Sequence, residues 1–558
     1  MSAVEKTDWK KKAVVYQIYP RSFADSNGDG LGDIPGIIDK LDYIKELGCD
    51  VIWLTPVYDS PQNDNGYDIA DYQAIYPPFG TMEDLETLLE EAHKRDIKLV
   101  MDMVVNHTST DHEWFRQSRS SRDNPYRDYY IWRDPAPDGG PPTNWVSKFG
   151  GNAWEFDEET GQYYLHLFDV TQADLNWENP KVREDVYEMM RWWFDKGMDG
   201  FRLDVVNLLS KDQDFPQAPP GTDGRQFYTD GPRIHEYLHE MNKEAFQGKL
   251  TVGEMSSTTV DHCVRYTRPE NEELDMTFSF HHLKVDYPDG EKWTDAPMDF
   301  QKLKDILTHW QVGMAEGGGW NAVFWCNHDQ PRVVSRFGDD GEYRVESAKM
   351  LATAVHLLQG TPYIYQGEEF GMTNPHFTSI EQYKDVESLN AHRELLEKGV
   401  PEEEVMAILD RKSRDNSRTP VQWNDAPHAG FTTGEPWIEV AQNYPEVNAE
   451  AAVGDPDSVF HHYRKLIDLR KTEPLVTTGE YELLDGEHPS VYAYARNGEE
   501  DSLIVVNNFF ADPVRWEWPE QVKGFEDSDL VLANLENPTW DANGIDLRPY
   551  ESVVLKVR

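Results

Sequence analysis

The strongest constraint on this chain is a rhythm. Short apolar runs alternate with longer segments of helical periodicity from near the N-terminus to about residue 370. Parallel β/α units read this way, because a strand covered on both faces needs a short apolar run and the crossover that follows needs a helix. Eight runs qualify as strands: VVYQIYP from Val14, CDVIWLTP from Cys49, IKLVMDMVV from Ile97, DGFRLDVV from Asp199, LTVGEM from Leu250, LDMTFSF from Leu274, AVFWCNHD from Ala322 and PYIYQGEE from Pro362. Eight such units predict a closed (β/α)8 barrel of the TIM type.

The interval between the third and fourth runs is far too long for an ordinary βα loop. Its first part, 106–176, is rich in Trp, Tyr, Pro and Gly and is expected to form an inserted subdomain over the C-terminal face of the barrel. Residues 1–105 and 177–475 then make the barrel itself, with a second excursion from Gly371 to about Asn443 walling the mouth and two helical segments completing it. From 476 to 558 the texture becomes SVYAYAR, SLIVVNNF and ESVVLKV, short alternating strands that predict a C-terminal β-sandwich. That module carries no obvious chemistry.

Composition narrows the partners. Asp and Glu number 102 against 53 Lys and Arg, a net charge of −49. Such a surface repels nucleic acid and anionic membranes, and it fits a salt-adapted protein whose self-repulsion needs screening. The N-terminal MSAVEKTDWKKK has no apolar stretch and no apolar segment of spanning length follows, so a cytoplasmic monomer acting on a small molecule is expected. Cys49, Cys263 and Cys326 are scattered without zinc or disulfide spacing and read as reduced core residues. Flat amphipathic rings, 12% of the chain, suit sugar faces, although most belong to the core.

Active sites of such barrels lie at the C-terminal strand ends. Asp102, Asp204, Glu254 and Asp329 stand there on the third, fourth, fifth and seventh runs. One carboxylate could merely cap a helix, and several could hold Mg²⁺ or Ca²⁺. Arg202, two residues before Asp204 and on the same strand face, disfavours a metal and lowers a neighbouring carboxylate's pKa. His107 and His328 can donate to hydroxyl groups. Separately, DSNGDGLGD (Asp25 to Asp33) sets oxygen donors at alternate positions with glycines between, the logic of a calcium loop.

DMVVNH (Asp102 to His107), QADLN (Gln172 to Asn176), GFRLD (Gly200 to Asp204), TVGEM with Glu254, and NHD (Asn327 to Asp329) resemble, in order and spacing, the signature blocks of the α-amylase superfamily, glycoside hydrolase family 13. The resemblance implies a retaining, exo-acting α-glucosidase. Asp204 would be the nucleophile, Glu254 the proton donor and general base, and Asp329 the carboxylate that holds the sugar hydroxyls. Retaining chemistry needs the first two about 5 to 5.5 Å apart. Asp68 and Arg418 resemble the pair that grips a terminal glucose, with Tyr67 as its platform, and Asp102, His107, Arg202 and His328 complete the sugar-binding set. In similar loops Ca²⁺ is bound through positions matching Asp25, Asn27, Asp29, the Leu31 carbonyl and Asp33, and no organic cofactor is implied.

Longer passages, among them GRQFYTDGPRIHEYLHEMN from Gly224 and MTFSFHHLKVDYPDGEKW from Met276, resemble the family members that split α,α-trehalose 6-phosphate into glucose and glucose 6-phosphate. On that reading His281, Lys284 and Lys292 are phosphate-binding candidates at the leaving sugar. Members acting on neutral isomalto- or malto-oligosaccharides are the alternative. A non-catalytic relative would lack the carboxylates.

Overall fold

The protein is described from a computed structural model covering residues 9–246, 248–521 and 528–558, so the first eight residues of the N-terminal reading lie outside it. Eight strands close the barrel: β1 Val15–Ile18, β2 Val51–Leu54, β3 Lys98–Met103, β4 Gly200–Leu203, β5 Leu250–Glu254, β6 Met276–Phe278, β7 Asn321–Val323 and β8 Thr361–Tyr365. Each pairs in parallel with its sequence neighbours, and β8 returns to β1. β1, β2, β4, β5 and β8 are buried at every residue, because side chains inside the barrel and helices outside cover both faces.

All eight expected runs overlap a barrel strand, two of which, β7 and β8, begin one residue earlier than expected, and β7 is much shorter than AVFWCNHD. It ends at Val323, and Asp329 lies six residues beyond it. Beyond the strand Asn327 holds a turn: its Oδ1 accepts the Asp329 N–H at 2.8 Å and its carbonyl accepts from Gln330.

Between β3 and β4 the chain forms a three-stranded sheet (Trp132–Arg133, Gln162–Leu165, Trp154–Asp157) and an antiparallel pair, His107–Ser109 with Gln172–Asp174. Trp145, Trp154 and Leu165 from this insertion share one apolar cluster with Val205, Leu208, Phe215 and Tyr228 from the segment after β4. A buried ion pair, Lys211 Nζ to Asp174 Oδ2 at 2.9 Å, joins the same two segments. The roof is thus packed directly onto the loop that follows Asp204.

The excursion after β8 carries helices Val386–Glu397 and Glu402–Lys412, followed by the short helix Asp415–Arg418. Arg414 and Arg418 sit one turn apart there and face the barrel mouth together.

The expected boundary at 476 falls inside a small helix, Leu475–Thr478, and strands begin at Glu480. Five strands (Glu480–Leu484, Val491–Asn497, Ser502–Asn508, Ser552–Val557, Asp529–Ala533) pack on three (Val514–Glu517, Gly544–Leu547, Thr539–Asp541). The two-residue period explains why the larger sheet is buried on both faces. Ala493, Ile504 and Val506 meet Trp516 and Ile545 of the smaller sheet, while Tyr492, Tyr494 and Val505 join the barrel core. All three cysteines are buried and free.

Candidate active site

Arg202 organises the site. Its position on β4 lies opposite Asp102 of β3 and Val252 of β5, so the fan of the barrel brings three carboxylates to one guanidinium. Nη1 is 2.7 Å from Asp102 Oδ1 and 2.5 Å from Asp204 Oδ1, and Nη2 is 2.8 Å from Glu254 Oε2. A fixed cation therefore occupies the place where a hard metal would have to sit. Asp102 is wholly buried, and its other oxygen accepts from Tyr67 Oη at 2.9 Å and Trp53 Nε1 at 3.2 Å. It braces Arg202 and Tyr67 and leaves no oxygen for a sugar.

Asp204 and Glu254 are in hydrogen-bond contact. That closeness belongs to the short-spacing, double-displacement arrangement, since an inverting enzyme keeps its carboxyls roughly 6.5 to 9.5 Å apart to admit water. Val205 helps to fix it. Its N–H donates to Glu254 Oε2 at 3.1 Å, and to do so this β-branched residue adopts φ 35°, a strained left-handed conformation. Burial raises both carboxyls. Asp204 rises above the ordinary range because burial and the Asp102 charge outweigh Arg202, which lowers it as expected without deciding the net shift. Glu254 is pushed to about 7 by burial and by the negative charge of Asp204, against Arg202. Both carboxyls are raised, with the proton favoured on Glu254.

Asp329 differs. Burial would raise its pKa, but His328, Arg414 and Arg418 outweigh that and hold it well below the usual range. His328 Nε2 lies 3.1 Å from Oδ2, while Arg418 Nη2 and Arg414 Nη1 reach Oδ1 at 2.7 and 3.3 Å. About a third of the Asp329 side chain still meets solvent, 31%, so it can accept hydroxyl donors. Tyr67 stacks on the His328 ring at 5.2 Å, nearly parallel at 7°, and forms a flat floor. His107 has its ring nitrogens against Tyr67 O, Gln172 and Asn106, each at 3.2 Å, and orders that floor from below.

Asp68, expected with Arg418 to grip the terminal glucose, is fully buried, and its oxygens accept from Ser60 Oγ, Asp64 N and Asn63 N at 2.8 to 3.1 Å, so it closes its own turn. The carboxylate of this turn that reaches Arg414 is Asp64, four residues earlier. It lies 3.9 Å from Arg414 Nη2, accepts from Gln172 Nε2 at 3.1 Å, and is raised to about 7 by burial against Arg414 and Arg418. Arg414 is held by Asp385 Oδ1 at 2.5 Å and by Glu387 at 3.3 Å. Sequence reasoning missed Asp64, Arg414 and Asp385. A signal was present in NDNGYD and SRDNSR, which each hold two residues of the needed type, but only the turn geometry says which one faces the pocket.

The phosphate candidates divide. His281 and Lys284 flank one 3-10 turn after β6, His281 against the Trp310 ring at 5.1 Å. Burial, then Arg225, lowers the Lys284 pKa; its ammonium makes no ion pair among the described residues and remains open to solvent in a crowded rim. Lys292 instead pairs with Glu387 Oε2 at 2.7 Å and lies over Trp293.

In the DSNGDGLGD loop, Asp25 Oδ1 accepts from Asn27 and Gly28 N–H groups, Oδ2 from Gly30 and Thr432, and Asp29 Oδ1 from Leu31. Asp33 caps helix Ile34–Asp39 through Gly36 N at 2.7 Å. A Cβ at Gly30 would fall 1.9 Å from the Glu435 carbonyl, so the loop docks tightly on the excursion wall. The donors are all oxygens, as Ca²⁺ requires, but among the described residues no three acidic side chains converge as a metal site.

A closed parallel barrel whose mouth joins two touching carboxyls, a third ionised carboxylate and a flat aromatic floor defines a glycoside hydrolase. Residues 17–479 match the alpha-amylase catalytic domain and 491–554 the C-terminal domain of the alpha-amylase SusG; the chain belongs to the α-amylase family, glycoside hydrolase family 13. It is 64% identical over 555 residues to a trehalose-6-phosphate hydrolase of Bacillus subtilis, and 54% identical over 559 residues to an oligo-1,6-glucosidase of Parageobacillus thermoglucosidasius, covering 99% of both chains in each case. The crystal structure of Bacillus licheniformis trehalose-6-phosphate hydrolase superposes with a TM-score of 0.96 at 62% identity, over 98% of this chain and 99% of that one.

Proposed function

We propose that the chain hydrolyses α,α-trehalose 6-phosphate to glucose and glucose 6-phosphate. The observation that carries this reading is Lys284: in a protein with 102 acidic residues, a lysine beside the catalytic mouth has no carboxylate partner among the described residues. A dianionic leaving sugar supplies one, and charge-assisted hydrogen bonds are the strong ones. His281 adds a neutral donor on the same turn. Lys292 contributes less, because Glu387 already neutralises it.

In this reading the unsubstituted glucose lies on Tyr67, held by Asp329 and by Asp64 with Arg414. Asp204 attacks its anomeric carbon, the bond to the glucose 6-phosphate oxygen breaks, and Glu254 gives that oxygen its proton. Glu254 then takes a proton from water, which attacks the same carbon and frees Asp204. Asp25, Asn27, Asp29, the Leu31 carbonyl and Asp33 are proposed to hold a structural Ca²⁺, which would neutralise the loop's charge.

The relative acting on 1,6-glucosides favours a second reading, turnover of neutral isomalto-oligosaccharides. Comparing kcat/KM for trehalose 6-phosphate, trehalose and isomaltose separates the two. The proposal expects the phosphorylated sugar to lead by at least about a hundredfold, the worth of about two charge-assisted bonds; isomaltose in the lead would overturn it.

A further inference from the structure

A second cation faces the same rim from the roof. Lys148 belongs to the inserted segment, where its backbone N–H is held by Leu167 O at 2.8 Å. The next residue, Phe149, lies 5.5 Å from the Arg414 guanidinium and 5.7 Å from Phe168, which in turn touches His107, so this stretch edges the sugar pocket. The Lys148 ammonium sits 5.2 Å from the Tyr228 ring and makes no ion pair or hydrogen bond among the described residues.

Its position is fixed from beneath. Val146 N–H donates to Asp223 O at 3.0 Å, Trp145 stacks on Phe227, and Gly224 has no room for a side chain, since a Cβ would fall 2.6 Å from Trp145. Residues 145–149 of the roof and the 223–228 segment are therefore packed as one unit. Arg225 on that segment already satisfies Asp223 at 2.6 Å. Burial lowers the Lys148 ammonium to about 8; Arg225 and Lys284 push it the same way, and Asp223, itself paired with Arg225, opposes them. Two lysines with no ion-pair partner among the described residues, one on the roof and one after β6, thus feel each other's charge, and an anion between them relieves that repulsion.

We infer that Lys148 grips the phosphate of the leaving sugar from the roof, opposite Lys284, and is a specificity-determining residue for a phosphorylated substrate. The inference rests on the reading that trehalose 6-phosphate is the substrate, and it adds the inserted subdomain to a site otherwise built from the loop after β6. Cation–π packing on Tyr228 would, by contrast, make Lys148 a structural residue that treats all substrates alike.

The test uses Lys148→Met, which keeps the apolar stem, and Lys148→Arg, which keeps the charge. Two quantities are read: the ratio of kcat/KM for trehalose 6-phosphate to that for p-nitrophenyl α-glucoside, and the inhibition constant of glucose 6-phosphate. Lys148→Met is expected to lower the ratio at least about tenfold, through KM, and to weaken glucose 6-phosphate inhibition in proportion, with Lys148→Arg restoring most of both. Equal losses on the two substrates, or changes within twofold, would overturn the role. Wild type without a preference for trehalose 6-phosphate over trehalose would remove the underlying substrate reading; an intact wild-type preference that Lys148→Met leaves unaltered would remove only Lys148.

Discussion

Arg202 is shared among Asp102, Asp204 and Glu254, so no one of them is fully neutralised, and burial then lifts Glu254 to about 7. The linkage has a definite sign. A carboxyl raised in the folded state contributes stability below its unfolded pKa near 4.5, and that contribution is lost as pH rises through about 7. Glu254→Gln should therefore gain stability relative to wild type between pH 5 and pH 8, by an amount on the order of 3 kcal/mol, read from denaturant midpoints; a constant difference across that range would reject the raised pKa. Asp204→Asn, which keeps size but removes the nucleophile, should lose roughly four orders of magnitude in kcat while holding the melting temperature within a few degrees. Asp64→Asn or Arg414→Lys should weaken exo-type substrates chiefly in KM, whereas Asp68→Asn should act mainly on stability, because its oxygens serve only its own turn. Parallel kinetics and melting curves on these variants check that division. Asp204 and Glu254 were legible in the sequence because strand ends have one possible height in a barrel. Asp64 and Arg414 were not, because loop closure, which periodicity does not encode, selects between two residues of the same type.

At the scale of elements, the eight strands were readable since each is a short apolar run that the barrel buries on both sides, and the length of the gap after β3 was enough to announce an insertion. Where β7 stops was not readable, because the apolar run continues through Cys326 while the ladder pairs only as far as Val323. The DSNGDGLGD loop poses the sharper question. Its carboxylates bond to the loop's own N–H groups, yet Asp25, Asp29 and Asp33 bring three negative charges into nine residues. Chelating the proposed Ca²⁺ should lower the melting temperature more than it changes kcat, since the loop docks on the excursion wall through Gly30 and its hydrogen bonds reach neither Asp204 nor Glu254. An unchanged melting temperature would mean that the internal hydrogen bonds suffice.

The whole molecule carries −49 charges. Its expected adaptation to salt predicts melting temperatures that climb from low to molar NaCl as self-repulsion is screened, and a flat or falling profile would contradict it. The same field repels a dianionic substrate at long range, which makes the local cations near the mouth the deciding feature and lowers the on-rate for trehalose 6-phosphate at low salt. The central claim, double displacement on a phosphorylated α-glucoside, is tested most directly by following the first minutes of trehalose 6-phosphate hydrolysis by proton NMR. The account predicts that glucose and glucose 6-phosphate appear in equal amounts, both initially as α-anomers, glucose because two inversions at its anomeric carbon restore the configuration and glucose 6-phosphate because its own anomeric bond is never cut. β-Glucose appearing first, or an absence of glucose 6-phosphate, would contradict it.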